Sequence, residues 1–170
     1  MNLLETIAKG HSKEQCDKIV RYVGNDPARF AKLIKLFLSG PYRVTQRVAW
    51  PLSYCVEEYP GLIYPHLKKI IQNLKKPGIN DAVKRNTARL LQFIAIPKSL
   101  QGHVTANCFA LFQNPKEPVA IRVFTMTVLA RIAEDQPELK NELRILIEDQ
   151  LPYASPGFLA RARKILKQLE

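Results

Sequence analysis

The sequence is poor in glycine, with 7 residues in 170, and holds 12 prolines. That balance leaves little material for phosphate-cradling loops and suits helices joined by short, stiff turns. Tryptophan occurs once, methionine twice and histidine three times. His11, His66 and His103 show no metal-ligand spacing. The three cysteines, Cys16, Cys55 and Cys108, are widely separated and include no CxxC pair. A disulfide framework and a zinc site are therefore not expected. Reduced thiols in a cytoplasmic chain, with no metal and no cofactor, are the simplest reading. No apolar run reaches the roughly 18 residues that a membrane span needs. Met1–Gly10 carries Glu5 inside its apolar stretch and lacks the basic start of a signal peptide. Acidic residues are scarce as well: 15 against 26 Lys and Arg, for a formal net charge of +11.

What the chain does have is a repeat. Turn signals recur at Gly40-Pro41, Pro77-Gly78, Pro115 to Pro118 and Pro156-Gly157, and a second series falls between them at Asn25-Asp26-Pro27, Pro60-Gly61, Pro97 and Pro137. The stretches between turns have helical periodicity. Aligning the second helix of each pair on Val44, Val83, Ile121 and Phe158 gives columns in register. Offset 4 reads Val48, Thr87, Thr125, Ala162; offset 7 reads Pro51, Leu90, Val128, Ile165; offset 8 reads Leu52, Leu91, Leu129, Leu166; offset 11 reads Cys55, Ile94, Ile132, Leu169. At about 100° per residue these offsets form one stripe. First helices repeat too, through Phe30, Leu67, Val104 and Leu143, then Ile34, Ile71, Cys108 and Ile147. Cys16, Ile19, Val20 and Val23 match the second-helix pattern, so residues 12–24 read as a lone half repeat, with a short capping helix at 1–9. Such a pair has an apolar face too large to hide alone, and stacking the pairs buries it.

This pattern resembles the HEAT-like repeat proteins of the wider armadillo/HEAT group over about residues 12–169. Val83-Lys84 with Thr87-Ala88, and Ile121-Arg122 with Thr125-Met126, match second helices that open with an aliphatic residue, then a basic one, then small ones. Val44-Thr45 and Phe158-Leu159 lack the basic residue. The resemblance implies an all-α fold, a right-handed α-α superhelix of the HEAT-like solenoid type. It would hold about four helical pairs plus the half repeat, in one domain over 1–170, with repeats at about 26–59, 60–96, 97–135 and 136–170.

In such solenoids the second helices line the concave side. Offsets 2, 5, 6 and 9 lie opposite the apolar stripe, which puts Arg85, Arg163, Trp50, Arg89, Lys164 and Lys167 on the predicted binding face. Residues 41–115 hold ten Lys or Arg and three acidic residues, a net +7, against +3 for 1–40 and +1 for 116–170. A converging positive surface raises the local concentration of anionic partners. Trp50 has two readings. It anchors a partner from the groove, or Pro51 kinks the helix and turns the ring into the core.

No nucleotide-loop, nucleophile-elbow or zinc-protease motif is present, and no catalytic residue is assigned. The expectation is a non-enzymatic scaffold or adaptor that binds an acidic protein segment or another anionic partner. The alternative is nucleic-acid binding, by similarity to the bacterial HEAT-like DNA glycosylases of alkylation repair. Those enzymes combine groove aromatics with an essential aspartate. Here Tyr54 occupies the position one turn after Trp50 and no second tryptophan exists, so the similarity implies binding without glycosylase chemistry.

Overall fold

A computed structural model describes residues 1–170 as helices and turns throughout, in two compact units, Met1–Ile94 and Ala95–Glu170. The first unit holds α1 (Leu3–Lys9), α2 (Lys13–Val23), α3 (Pro27–Ser39), α4 (Tyr42–Glu58), α5 (Leu67–Asn73) and α6 (Asp81–Leu91), with a 3-10 helix over Pro60–His66. Polar caps start several of these helices. The Asp26 carboxylate accepts from the backbone N–H groups of Ala28 and Arg29, while Pro27 fills the first helical position, where no N–H is needed. Those bonds, led by the one from Arg29, hold the Asp26 carboxyl below the usual range. Ser12 and Asn80 cap α2 and α6 in the same way. Gly24 ends α2 at φ 49°, a conformation that favours glycine. Gly40 is needed for closeness instead, since a Cβ there would meet the Leu36 carbonyl oxygen at 2.5 Å and a Val44 methyl at 3.0 Å.

α4 is the centre of this unit. It packs against α1, α2, α3 and α6. Every first-unit residue in the repeat columns is buried: Val44, Val48, Pro51, Leu52 and Cys55 on α4, and Val83, Thr87, Leu90, Leu91 and Ile94 on and just after α6. The half-repeat residues Cys16, Ile19, Val20 and Val23 are buried on α2. Pro51 does not end α4, which runs on to Glu58. The proline nitrogen cannot bond to the Arg47 carbonyl. The first helix of the second pair departs from regularity: Pro60 and Pro65 remove two backbone donors, and 60–66 winds as a 3-10 helix before the short α5. The apolar register survives, with Leu67, Ile70 and Ile71 buried.

The second unit holds α7 (Lys98–Gln113), α8 (Val119–Asp135), α9 (Leu139–Gln150) and α10 (Pro156–Gln168), with a 3-10 turn at Leu151–Tyr153. α8 packs on α7, α9 and α10. Val104 and Cys108 of α7, and Leu143 and Ile147 of α9, are buried against it. The second-helix columns are buried here also, except Leu166, which is half-buried. Phe112 and Phe158 stack at 6.1 Å between ring centres. In each unit, first and second helices thus form two layers around one core.

Candidate binding surfaces

On the first unit, α2, α4 and α6 bring an aromatic and cationic cluster together. Trp50 is half-buried, with its ring centre 5.3 Å from His11 and 6.3 Å from Tyr54. Lys13 Nζ lies 4.7 Å from the centre of the Tyr54 ring, and the Arg89 guanidinium 4.3 Å. Arg89 also lies 5.0 Å from the Phe93 ring. It donates to Ser53 Oγ at 3.1 Å and to Glu57 Oε2 at 2.5 Å. Ser53, at offset 9, is fully buried and donates to the Trp50 carbonyl at 2.8 Å. The reason is geometric: α6 packs along that flank of α4, so offset 9 faces a neighbouring helix.

Arg85 and Arg89 therefore differ in surroundings despite their four-residue spacing. Arg89 is a bolt between α6 and α4, with its side chain 19% exposed. Arg85 is exposed and makes no hydrogen bond, ion pair or ring contact.

On the second unit, Arg163, Lys164 and Lys167 of α10 are all exposed and without partners. The bolts are here other residues of α10: Arg161 donates to Thr127 Oγ1 at 2.7 Å, and Gln168 to Glu134 at 2.5 Å. Offset 5 is Ala49 on α4 and Met126 on α8, both buried, and those helices each carry a further second helix on their flank. On α10 the same offset is the exposed Arg163. Sequence register assigned no binding role to His11, Lys13, Tyr54 or Phe93, whose positions depend on how neighbouring helices meet.

The three cysteines are free and buried. Burial raises the Cys16 thiol to about 11 and the Cys55 and Cys108 thiols to about 12. No three His, Cys, Asp or Glu side chains converge in a metal-binding arrangement. No helix is long and apolar enough to cross a membrane.

Paired helices repeated in register, with small and aliphatic columns inside, define a helical-repeat protein of the kind that presents surfaces to other proteins. The chain matches the HEAT repeat domain over residues 3–169 and belongs to that family. No curated protein and no solved structure matches it.

Proposed function

We propose that the chain is a non-catalytic scaffold that binds an acidic segment of a protein partner on its second-helix faces. The observation that carries this reading is the set of uncommitted cations: Arg85 on one unit and Arg163, Lys164 and Lys167 on the other are exposed with no carboxylate partner. Charge supports it. Met1–Ile94 holds sixteen Lys or Arg against seven acidic residues, and Ala95–Glu170 ten against eight. In this reading Arg89 positions the aromatic cluster, and the half-buried Trp50 supplies an anchor beside it. The buried, unpaired thiols suit a reducing cytoplasmic setting.

Nucleic-acid binding has the same net charge in its favour. Against it, the Tyr54 ring already carries Lys13 and Arg89, which reduces its use as a stacking platform for a base. Titration of the full chain with an oligoglutamate peptide and with duplex DNA, each over a salt series, tests the reading. Calorimetric heats report binding at either unit, and the emission of Trp50, the single tryptophan, reports the first unit. Saturable binding of the peptide supports the proposal. Binding of DNA alone, with a steep salt slope, overturns it.

A further inference from the structure

A surface cleft on the second unit has a different composition from the second-helix face. It lies between the α7–α8 turn and the α9–α10 turn and has a volume of about 420 Å³. Pro115, Val119, Tyr153 and Phe158 supply apolar walls, and Arg122 contributes a guanidinium. Tyr153 is 92% exposed and Val119 41%, so two apolar side chains stand at its rim uncovered.

Arg122 is held in place by its neighbours. Its Nε donates to the Phe112 carbonyl at 3.2 Å, one Nη donates to Gln150 Oε1, and the guanidinium lies 5.0 Å from the Phe158 ring. Its other Nη makes no hydrogen bond, and no carboxylate pairs with it. Asp149 also lines the cleft and forms no ion pair with Arg122. A fixed, partly desolvated guanidinium without a counter-ion is a strong receptor for one carboxylate.

The fold produces a cavity at the matching place in the first unit, where the α3–α4 turn meets the segment before α6, with a volume of about 260 Å³. Tyr42 stands there at the offset that Val119 occupies in the second unit, and is likewise exposed. One step past the column start, however, Thr45 replaces Arg122, and its hydroxyl accepts from Asn80 at 3.1 Å. The cleft belongs to the repeat, but no arginine lines it in the first unit, where the cation present, Lys76, donates to the Leu38 carbonyl at 3.4 Å.

The geometry points to a docking site in this cleft for a protein segment that presents one acidic side chain next to aromatic or aliphatic ones. The carboxylate pairs with Arg122 and the apolar neighbours cover Tyr153, Val119 and Phe158. Asp149 at the edge disfavours a second acidic residue, so this site discriminates against polyanions, which the second-helix face would accept. Tyrosine and arginine are the residue types that most often dominate such contacts.

A display library of short random peptides, selected on the full chain, tests this. Expected are sequences with a single Asp or Glu beside aromatic or aliphatic residues. Their binding should fall at least about tenfold when the acid is changed to its amide, the loss of one charge-assisted bond. Val119→Asp and Tyr153→Ala alter exposed positions and should weaken binding with the fold intact, which keeps the test sound if Arg122→Gln disturbs packing. Arg85→Glu should leave this binding unchanged, separating it from the second-helix face. Enrichment of polyacidic sequences, enrichment without an acid, no enrichment at all, or selected peptides indifferent to Val119→Asp would each overturn the site.

Discussion

Arg89 of α6 reaches Glu57 of α4 at 2.5 Å, and the same guanidinium covers the Tyr54 ring one turn earlier on α4. Two second helices are thereby tied through one side chain that combines an ion pair, a hydrogen bond to the buried Ser53 and ring contacts. A double-mutant cycle with Arg89→Ala and Glu57→Ala should show a coupling of about 0.5–1 kcal/mol, the upper part of the range for pairs near the surface. Arg89→Ala alone should cost more than Glu57→Ala, because it also strips cover from Tyr54 and leaves Ser53 without its donor. Equal single-mutant losses with no coupling, read from urea midpoints, would show that the pair is only decoration.

The threonines in the offset-4 column offer a sharper contrast. Thr125 donates to the Ile121 carbonyl at 2.9 Å, whereas the buried Thr87 hydroxyl has no partner. A buried hydroxyl without a partner carries a desolvation cost that a methyl group does not. Thr87→Val should therefore stabilise the chain by about 1 kcal/mol, while Thr125→Val should be neutral or destabilising by a similar amount. The aliphatic neighbours behave differently, and Leu91→Ala or Leu129→Ala should cost about 2–5 kcal/mol. Chemical denaturation of the four variants checks the order.

The helical columns were readable in the sequence because burial in a stacked repeat depends on local periodicity, and the same offsets are buried on every second helix apart from the half-buried Leu166. Val44, Val83, Ile121 and Phe158 needed no knowledge of their neighbours. Ser53 and Arg89 did need it. Both lie opposite the apolar stripe of their own helices, yet the packing of α6 on α4 turns one into a buried hydrogen-bond partner and the other into a cross-helix bolt. Trp50 shows the limit in another way. Pro51 was readable as a perturbation, but the ring stays half-buried against His11, a contact set by the segment before α2 rather than by α4 itself. The Arg122 cleft does not follow from the second-helix register, since it forms where the α7–α8 and α9–α10 turns meet.

Thiol chemistry should follow burial. Cys16, Cys55 and Cys108 should react slowly with a thiol reagent at neutral pH, limited by opening of the core. Alkaline pH gives a second readout. The folded chain holds these protons more tightly than the unfolded chain, whose thiols titrate near 9, so stability is fully present below that pH. It should fall as pH rises towards about 11 for Cys16 and about 12 for Cys55 and Cys108. Replacing all three with Ala should flatten that alkaline decline, measured against the variant's own stability at neutral pH. Rapid labelling of any one thiol in the native state would contradict its place in the core.

The binding proposal is tested best at residues with no structural work. Arg85, Lys164 and Lys167 are exposed and unpaired, so reversing each to Glu should shift stability by less than about 0.5 kcal/mol. Arg89 is a poor choice, because Arg89→Glu would set a second carboxylate beside Glu57 and confuse lost binding with lost packing. Arg85→Glu should weaken oligoglutamate binding at the first unit, and Lys164→Glu with Lys167→Glu at the second. Each unit's face is tested separately. The losses should be greatest at low salt and shrink at high salt, since exposed charges are screened over about 10 Å at 0.1 M ionic strength. A loss that stays constant with salt would indicate a packing change rather than lost attraction. If reversal at all three positions leaves peptide binding unchanged at low salt while circular dichroism shows the fold intact, the uncommitted cations of the second helices are solvated charges and the scaffold binds elsewhere.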